Sequence, residues 1–301
     1  MPVDIAFITV SYNNLNCLRE LANFFGSLNV PFTYSLTVVD NYSTDTSQKF
    51  LRTRPELQYL QTGENLGYGR AINQGVAATD SKYVCVTNTD VVLNREALIA
   101  LWQFLEARNE AGVCAPHITY KDGRHQGMVF TVSLFSYYAY WYAKVLARRA
   151  KLKVMKATAP LRVEGVLGAF FLIRRSDVPH PALFDEEFFF YYEDIALAHT
   201  LKNRGVPCFI IPSATIIHIG GQSSSSGSIS FFYKSRYLYL KKFYGPVHAR
   251  FIHFIDRARI LRKLLFYSLG WWVSGSEKIK SKQRYYQIAW NPGQHTDDAS
   301  H

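Results

Sequence analysis

Residues 5–45, IAFITVSYNNLNCLRELANFFGSLNVPFTYSLTVVDNYSTD, decide the fold. Ile5–Val10 reads as a strand, Ser11-Tyr12-Asn13-Asn14 as the turn after it, and Leu15–Phe25 as an amphipathic helix. After a turn at Pro31, Leu36–Val39 reads as a second strand, ending in Asp40-Asn41-Tyr42-Ser43-Thr44-Asp45. Strand, helix and strand at this spacing predict a right-handed α/β unit with a parallel sheet. Ligands of such sheets bind beyond the carboxyl ends of the strands, where Asp40 stands. An Asp at that place is also a common cap or turn residue, so DNYSTD has a structural reading beside the ligand-binding one.

Farther along, Leu57–Leu60 reads as a third strand and Gly63–Gly75, GENLGYGRAINQG, as a glycine-rich loop entering a helix. Small residues let backbone N–H groups approach phosphate oxygens, and Arg70 and Asn73 add donors near the helix start. Lys82–Thr87 reads as a buried fourth strand ending in Asn88-Thr89-Asp90, where one carboxylate can hold a divalent cation that binds a diphosphate. A second acidic centre lies in residues 164–205. Five aromatics, Phe188–Tyr192, lead into Glu193-Asp194, and Ile195, Leu197, Ala198 and Leu201 give a helical period that stops at Gly205. A plain helix cap accounts for such acids, because free N–H groups and the dipole favour them there. An aromatic wall shielding them from water would give them a chemical role.

The 301 residues, 48% hydrophobic, suffice for a large core and exclude a disordered or fibrous chain. Thirty-four Lys and Arg against 23 Asp and Glu give +11, which calls for an anionic partner: nucleic acid, an acidic membrane surface or a phosphorylated substrate. Cys17, Cys85, Cys114 and Cys208 are far apart, without CxxC spacing or a secretion signal, and read as reduced, mostly buried thiols of a cytoplasmic protein.

The order SYNN, DNYSTD, GENLGYGRAINQG, NTD, LGAFFLIRR, FDEEFFFYYEDI and finally His218 resembles the family 2 glycosyltransferases, in their rhamnosyltransferase-like branch, over roughly residues 3–222. The resemblance implies the GT-A nucleotide-diphospho-sugar transferase fold, an α/β, Rossmann-like mixed sheet flanked by helices. It places that fold in residues 1–226, the nucleotide-sugar half first and the acceptor half from about residue 116. A basic helical appendage is expected in 227–290 and a disordered tail in 291–301. Position by position, Thr9, Ser11, Asp40 and Asp45 fall on the nucleotide pocket, and Asn65, Gly67 and Arg70 on the diphosphate side. Asn88 and Asp90 fall on the first and last positions of the DxD metal motif, and His218 on a late metal or diphosphate contact. Asp194 falls on the general base, with Glu193 beside it. The implied cofactor is Mg²⁺ or Mn²⁺, and the implied reaction is inverting hexosyl transfer from a nucleotide diphosphate sugar, dTDP-rhamnose favoured, to a lipid-linked or envelope-polysaccharide acceptor. Like charge and desolvation are expected to raise the pKa of Asp194 toward working pH.

The sequence departs from the family in three places. Asn88 replaces an acid, which weakens metal binding, while Ala196 and Thr200 replace an acid and an Arg, which bears on acceptor contacts rather than on the base. UDP-hexose or UDP-galactofuranose transfer is the alternative within the family, and a non-catalytic module of the same fold is the alternative outside catalysis. Intact Asp90, Asp194 and His218 favour an enzyme. A sugar nucleotidyltransferase would carry a Gly- and Arg-rich loop where Ser11–Asn14 stands. A nucleic-acid partner is not expected, since no recognition motif appears.

Three segments bear on location. Residues 126–143 are uncharged and aromatic, then turn basic from Lys144; they suit a membrane interface or a buried acceptor-side helix. Ser223–Ser226 reads as a flexible loop able to close over a donor. Beyond Gly227 two basic amphipathic helices are expected, one with Tyr233, Tyr237, Leu240 and Tyr244 on one face, the other with Phe251, Ile255, Ala258, Leu261 and Leu265. Such faces cover a sheet, form a homodimer or dock on an anionic bilayer; the last predicts a cytoplasmic enzyme held peripherally at the inner face of the plasma membrane.

Overall fold

The computed structural model describes residues 2–126, 132–138, 140–220, 228–274 and 276–290. The chain forms two compact units, residues 1–187 with 193–222, and residues 188–192 with 223–301. The first unit opens with β1 (Val3–Ser11), α1 (Leu15–Gly26), β2 (Tyr34–Asp40), α2 (Ser47–Arg52), β3 (Gln58–Gln61), α3 (Tyr68–Ala77) and β4 (Ser81–Thr87). It continues with β5 (Val91–Val92), α4 (Arg95–Ala107), β6 (Val113–Thr119), α5 (Leu134–Tyr138), α6 (Tyr140–Lys156), β7 (Leu161–Val163), β8 (Phe170–Arg174), α7 (Glu193–Asn203) and β9 (Cys208–His218).

Among the described residues the strands form one mixed sheet in the order β3-β2-β1-β4-β8-β6-β9-β5, with β7 on β9. The first four strands are parallel, as the opening pattern predicts, and β8 runs antiparallel to both β4 and β6. Ile5–Ile8 is buried throughout because helices cover both faces of the sheet, and α1 turns Cys17, Leu18, Leu21, Ala22 and Phe25 inward at helical spacing. Ser11 pairs with Asp40 in register, so β1 and β2 end at the same level. All four cysteines are buried.

Within the 126–143 segment, helix α5 has no buried residue among those described. Residues 127–131 and 139 lie outside the described residues; beside them Phe135 is 59% exposed, Val145, Leu152 and Met155 are exposed, and Val154 is buried. Among the described residues no helix is long and apolar enough to cross a membrane. The Ser223–Ser226 loop and the 291–301 tail also lie outside the described residues.

Among the described residues the second unit contains three helices rather than the expected two: α8 (Ser228–Tyr244), α9 (Pro246–Ser274) and α10 (Glu277–Trp290). Helix α10 is too charged to announce itself by an apolar period. Ile288 and Ala289 anchor it, Tyr286 stacks on Tyr267 at 5.7 Å, and the Arg257 guanidinium lies 3.6 Å from the centre of the Trp290 ring. The buried faces also differ from expectation. In α8 they are Ser235, Tyr239 and Leu240; in α9, Ala249, Ile252, Asp256 and Ile260, while Phe251, Leu261 and Leu265 are exposed. The aromatic run 188–192 makes much of the difference, since it packs into this unit. Phe189 stacks on Phe231 at 4.9 Å, Tyr192 meets Tyr239 at 5.5 Å, and Ser235 Oγ donates to the Phe190 carbonyl at 2.8 Å.

Candidate active site

The ends of β1 and β2 build the first wall. Thr9, Ser11 and Asp40 are fully buried, and alternation along the strands together with the Ser11–Asp40 register puts all three on one face of the sheet. Ser11 Oγ donates to Asn14 Oδ1 at 3.0 Å, and one Asp40 oxygen accepts from the Ser43 N–H at 3.3 Å. The other Asp40 oxygen and Thr9 Oγ1 have no hydrogen-bond partner among the described residues. Burial pushes the Asp40 carboxyl up, against the hydrogen bonds from Ser43. A buried carboxylate oxygen and hydroxyl left open on one face fit a polar ligand that brings its own donors. Asp45 is different: it is exposed and accepts from the Ser47 N–H at 2.9 Å, the cap-and-turn role that DNYSTD also allows.

The glycine-rich loop is wired to this wall by a side chain that its sequence motif did not single out. Asn41 Nδ2 donates to Asn65 Oδ1 at 2.8 Å, and Asn41 Oδ1 accepts from the Leu66 N–H at 2.9 Å. Asn65 Oδ1 in turn accepts from the Gly67 N–H at 3.1 Å. Gly67 has φ +80° and ψ 173°, a conformation open essentially to glycine alone, and it turns the chain into α3. Arg70 is exposed, with Nε donating to the Glu186 carbonyl at 2.9 Å, and Asn73 Nδ2 reaches the Phe184 carbonyl and Glu186 Oε1. Both therefore brace the 184–186 segment.

The end of β4 brings the remaining groups together. Asp90 is buried, and its Oδ1 lies 3.1 Å from His218 Nε2, because β5 pairs Val91 with His218. His218 Nδ1 lies 2.9 Å from Gln126 Oε1. With that oxygen accepting from Nδ1–H, the Nε2 lone pair faces the Asp90 carboxylate, and a cation or a proton between them satisfies both. The two residues could supply two ligands to a divalent cation; among the described residues no group of three or more His, Cys, Asp or Glu is arranged for a metal.

Asn88 takes a different part. Its Oδ1 lies 2.8 Å from the Tyr68 phenol, which is also 2.9 Å from the Gly168 carbonyl, while the Gly168 N–H donates to Asp194 Oδ2 at 3.1 Å. A Cβ at 168 would stand 3.3 Å from the Asp194 Cβ, so glycine lets the acid lie against the turn before β8. Burial pushes the Asp194 carboxyl up, opposed by the N–H groups of Gly168 and Ile195. Burial, then the charge of Asp194, pushes Glu193 up, and Glu193 Oε2 has no hydrogen-bond partner among the described residues. Burial, then the charges of Glu193, Asp194 and Asp90, hold the Tyr68 phenol well above its ordinary range, so the acid pair and the β4 carboxylate act on one side chain. Immediately before the pair, Tyr191 and Tyr192 have φ +66° and +69°, in the left-handed region that favours glycine. Of the residues missed from sequence, Tyr68 and Asn41 lie inside the quoted motifs. Gln126 has no local signal, since a hairpin closed by the Thr119–His125 bridge carries it to His218.

A family model described as glycosyl transferase family 2 matches residues 7–178. The chain is 27% identical over 244 residues to the N-acetylglucosaminyl-diphospho-decaprenol L-rhamnosyltransferase of Mycobacterium tuberculosis, with 73% of this chain and 80% of the relative covered. It is 24% identical over 221 residues to the rhamnosyltransferase WbbL of Escherichia coli, covering 69% and 83%. Among solved structures it is similar to the mannosyltransferase PcManGT of Pyrobaculum calidifontis in complex with GDP-Man and Mn²⁺, at TM-score 0.56 and 15% identity over 99% of this chain and 88% of that one. It is also similar to S. aureus TarS, at TM-score 0.54 and 17% identity; there 83% of this chain spans 42% of the TarS chain. These likenesses agree with the expected GT-A fold.

Proposed function

The chain belongs to glycosyl transferase family 2 and is a glycosyltransferase, and we propose that it moves rhamnose, with inversion, from dTDP-rhamnose to a hydroxyl of a lipid-linked envelope glycan. The names of its relatives support the sugar and the lipid-linked acceptor. One observation carries the chemistry: the Tyr68 phenol lies 2.8 Å from Asn88 Oδ1 and 2.9 Å from the Gly168 carbonyl, and the Gly168 N–H donates to Asp194 Oδ2, so a carboxyl raised by burial is tied to the strand end that carries Asp90.

Thr9, Ser11 and Asp40 bind the nucleoside, with Asp45 at the rim. Asn65, Gly67 and Arg70 lie on the diphosphate side, and Asn88 holds Tyr68. Asp90 and His218 would hold Mg²⁺ or Mn²⁺, which when bound offsets the charge of the leaving diphosphate. Asp194 accepts the proton of the acceptor hydroxyl as its oxygen bonds to the anomeric carbon, and the bond from that carbon to the diphosphate oxygen breaks on the opposite face. Its raised pKa suits a base working near neutral pH.

A transfer and hydrolysis panel of dTDP-rhamnose, UDP-galactofuranose, UDP-hexoses and GDP-mannose tests this. The largest turnover is expected with dTDP-rhamnose, falling in excess chelator. UDP-sugar preference supports the alternative within the family, turnover confined to GDP-mannose overturns the donor, and full-rate transfer by Asp90→Ala in chelator overturns the metal role.

A further inference from the structure

Helix α9 shows two opposed faces. Ala249, Ile252, Asp256 and Ile260 are buried, and Asp256 pairs with Arg236 of α8 at 3.2 Å and with Arg259 at 3.6 Å. The other face carries Val247, Phe254, Leu261, Leu265, Leu269 and Trp272, which are 74, 70, 43, 63, 63 and 81% exposed. Their intervals of three, four and seven residues return each to the same side at about 3.6 residues per turn. Single exposed apolar residues are ordinary on any protein, but a continuous stripe of them marks a contact surface.

The charge around the stripe selects the partner. Residues 228–290 hold thirteen Lys and Arg against Asp256 and Glu277, whereas the rest of the chain holds 21 basic and 21 acidic residues. The whole formal excess of +11 therefore belongs to the helical region, and one of its two acids is buried. Arg250 and Arg262, both exposed, stand one turn before Phe254 and next to Leu261, beside the stripe. Packing two copies stripe to stripe would bring these arginines together with like charge. An anionic bilayer offers both complements, hydrocarbon for the stripe and phosphates for the arginines.

We infer that this face of α9 is a bilayer-docking surface, with Val247 through Trp272 lying in the headgroup–acyl boundary of an anionic phospholipid membrane. The inference deepens the lipid-linked acceptor proposed above, but it stands on residues of the helical unit alone. Helix α9 lies in the plane of the interface and does not span it.

Flotation of the full chain with vesicles of phosphatidylglycerol and phosphatidylcholine, against phosphatidylcholine alone, tests it. The chain should float with the anionic vesicles at low salt. Phe254→Glu with Leu265→Glu should lower the bound fraction about tenfold or more, with circular dichroism and melting temperature unchanged, because the replaced side chains are exposed. Arg250→Ala with Arg262→Ala should weaken binding and its salt dependence. Equal flotation of the Glu variant and the parent overturns the proposal, as does a lipid-free dimer dissolved by the Glu pair in a chain that does not float. Hydrolysis of a soluble nucleotide sugar, measured in parallel, separates the two readings. A chain that floats but cleaves no donor keeps the surface and loses the proposed function; one that cleaves donor without floating does the reverse.

Discussion

The strand-end rim of the sheet unit and the outer face of α9 depart from ordinary burial in opposite directions. At the rim, Thr9, Asp40 and Glu193 bury polar atoms that lack partners among the described residues; on α9, Phe254, Leu265 and Trp272 expose large apolar groups. A buried orphan polar group and a broad exposed apolar stripe both cost stability in the isolated chain, and each is relieved by something the chain binds. The two regions therefore point to different ligands, a small polar one at the rim and an extended amphipathic one on α9. Their charge divides the same way, since the chain outside 228–290 is balanced and the helices carry the excess.

The sharpest way to break the rim reading is Asp194→Asn. It preserves shape, so transfer should fall about 10²- to 10⁴-fold while donor affinity and melting temperature hold. Unchanged specific activity in a less stable protein would return Asp194 to the role of helix cap. Because burial raises the Asp194 pKa, a base role for it puts the acidic limb of the parent's kcat/KM profile above the ordinary carboxylate range, with activity lost as the pH falls through it. Vesicle binding through α9 should be indifferent to this substitution.

A smaller effect sharpens the metal half of the rim. Gln126→Leu removes the acceptor that orients His218, so Mn²⁺ affinity, read by titration calorimetry in the presence of the nucleoside diphosphate, should weaken about 10- to 100-fold. No change would mean that Asp90 fixes the imidazole without help.

The smallest expected effect concerns stability. Glu193 is held above its unfolded pKa, so its contribution is fully present below the ordinary carboxylate range and is lost as pH rises through the raised folded value. Glu193→Gln removes that loss. The melting temperature of the variant should exceed that of the parent at pH 8 by more than at pH 5, as differential scanning calorimetry can read; an equal gap at both would show that Glu193 does not titrate there.

The α/β unit was legible in residues 5–45 because it depends on period and turn chemistry, which are local. Ile5–Val10 and Leu36–Val39 both fall inside observed strands, and Leu15–Phe25 inside α1. The motifs likewise put the candidate residues at strand ends and at a glycine-rich turn, which are local features. What was not legible was the company those residues keep. Tyr68 meets Asn88 across 20 positions and Gly168 across 100, and Gln126 meets His218 across 92. Sequence spacing carries no trace of such pairs, because the sheet order that brings them together follows from packing.

The helical region shows the same limit. Its basic and aromatic composition was plain, yet which face of α9 turns inward was decided by tertiary structure. The aromatics of residues 188–192 pack with α8, and Asp256 is buried between Arg236 and Arg259. By itself the sequence determined the elements, the strand-end motifs and the charge. Only the tertiary structure decided which polar atoms are left without partners and which apolar face is left to solvent, because burial belongs to the packed assembly and not to any one stretch of chain.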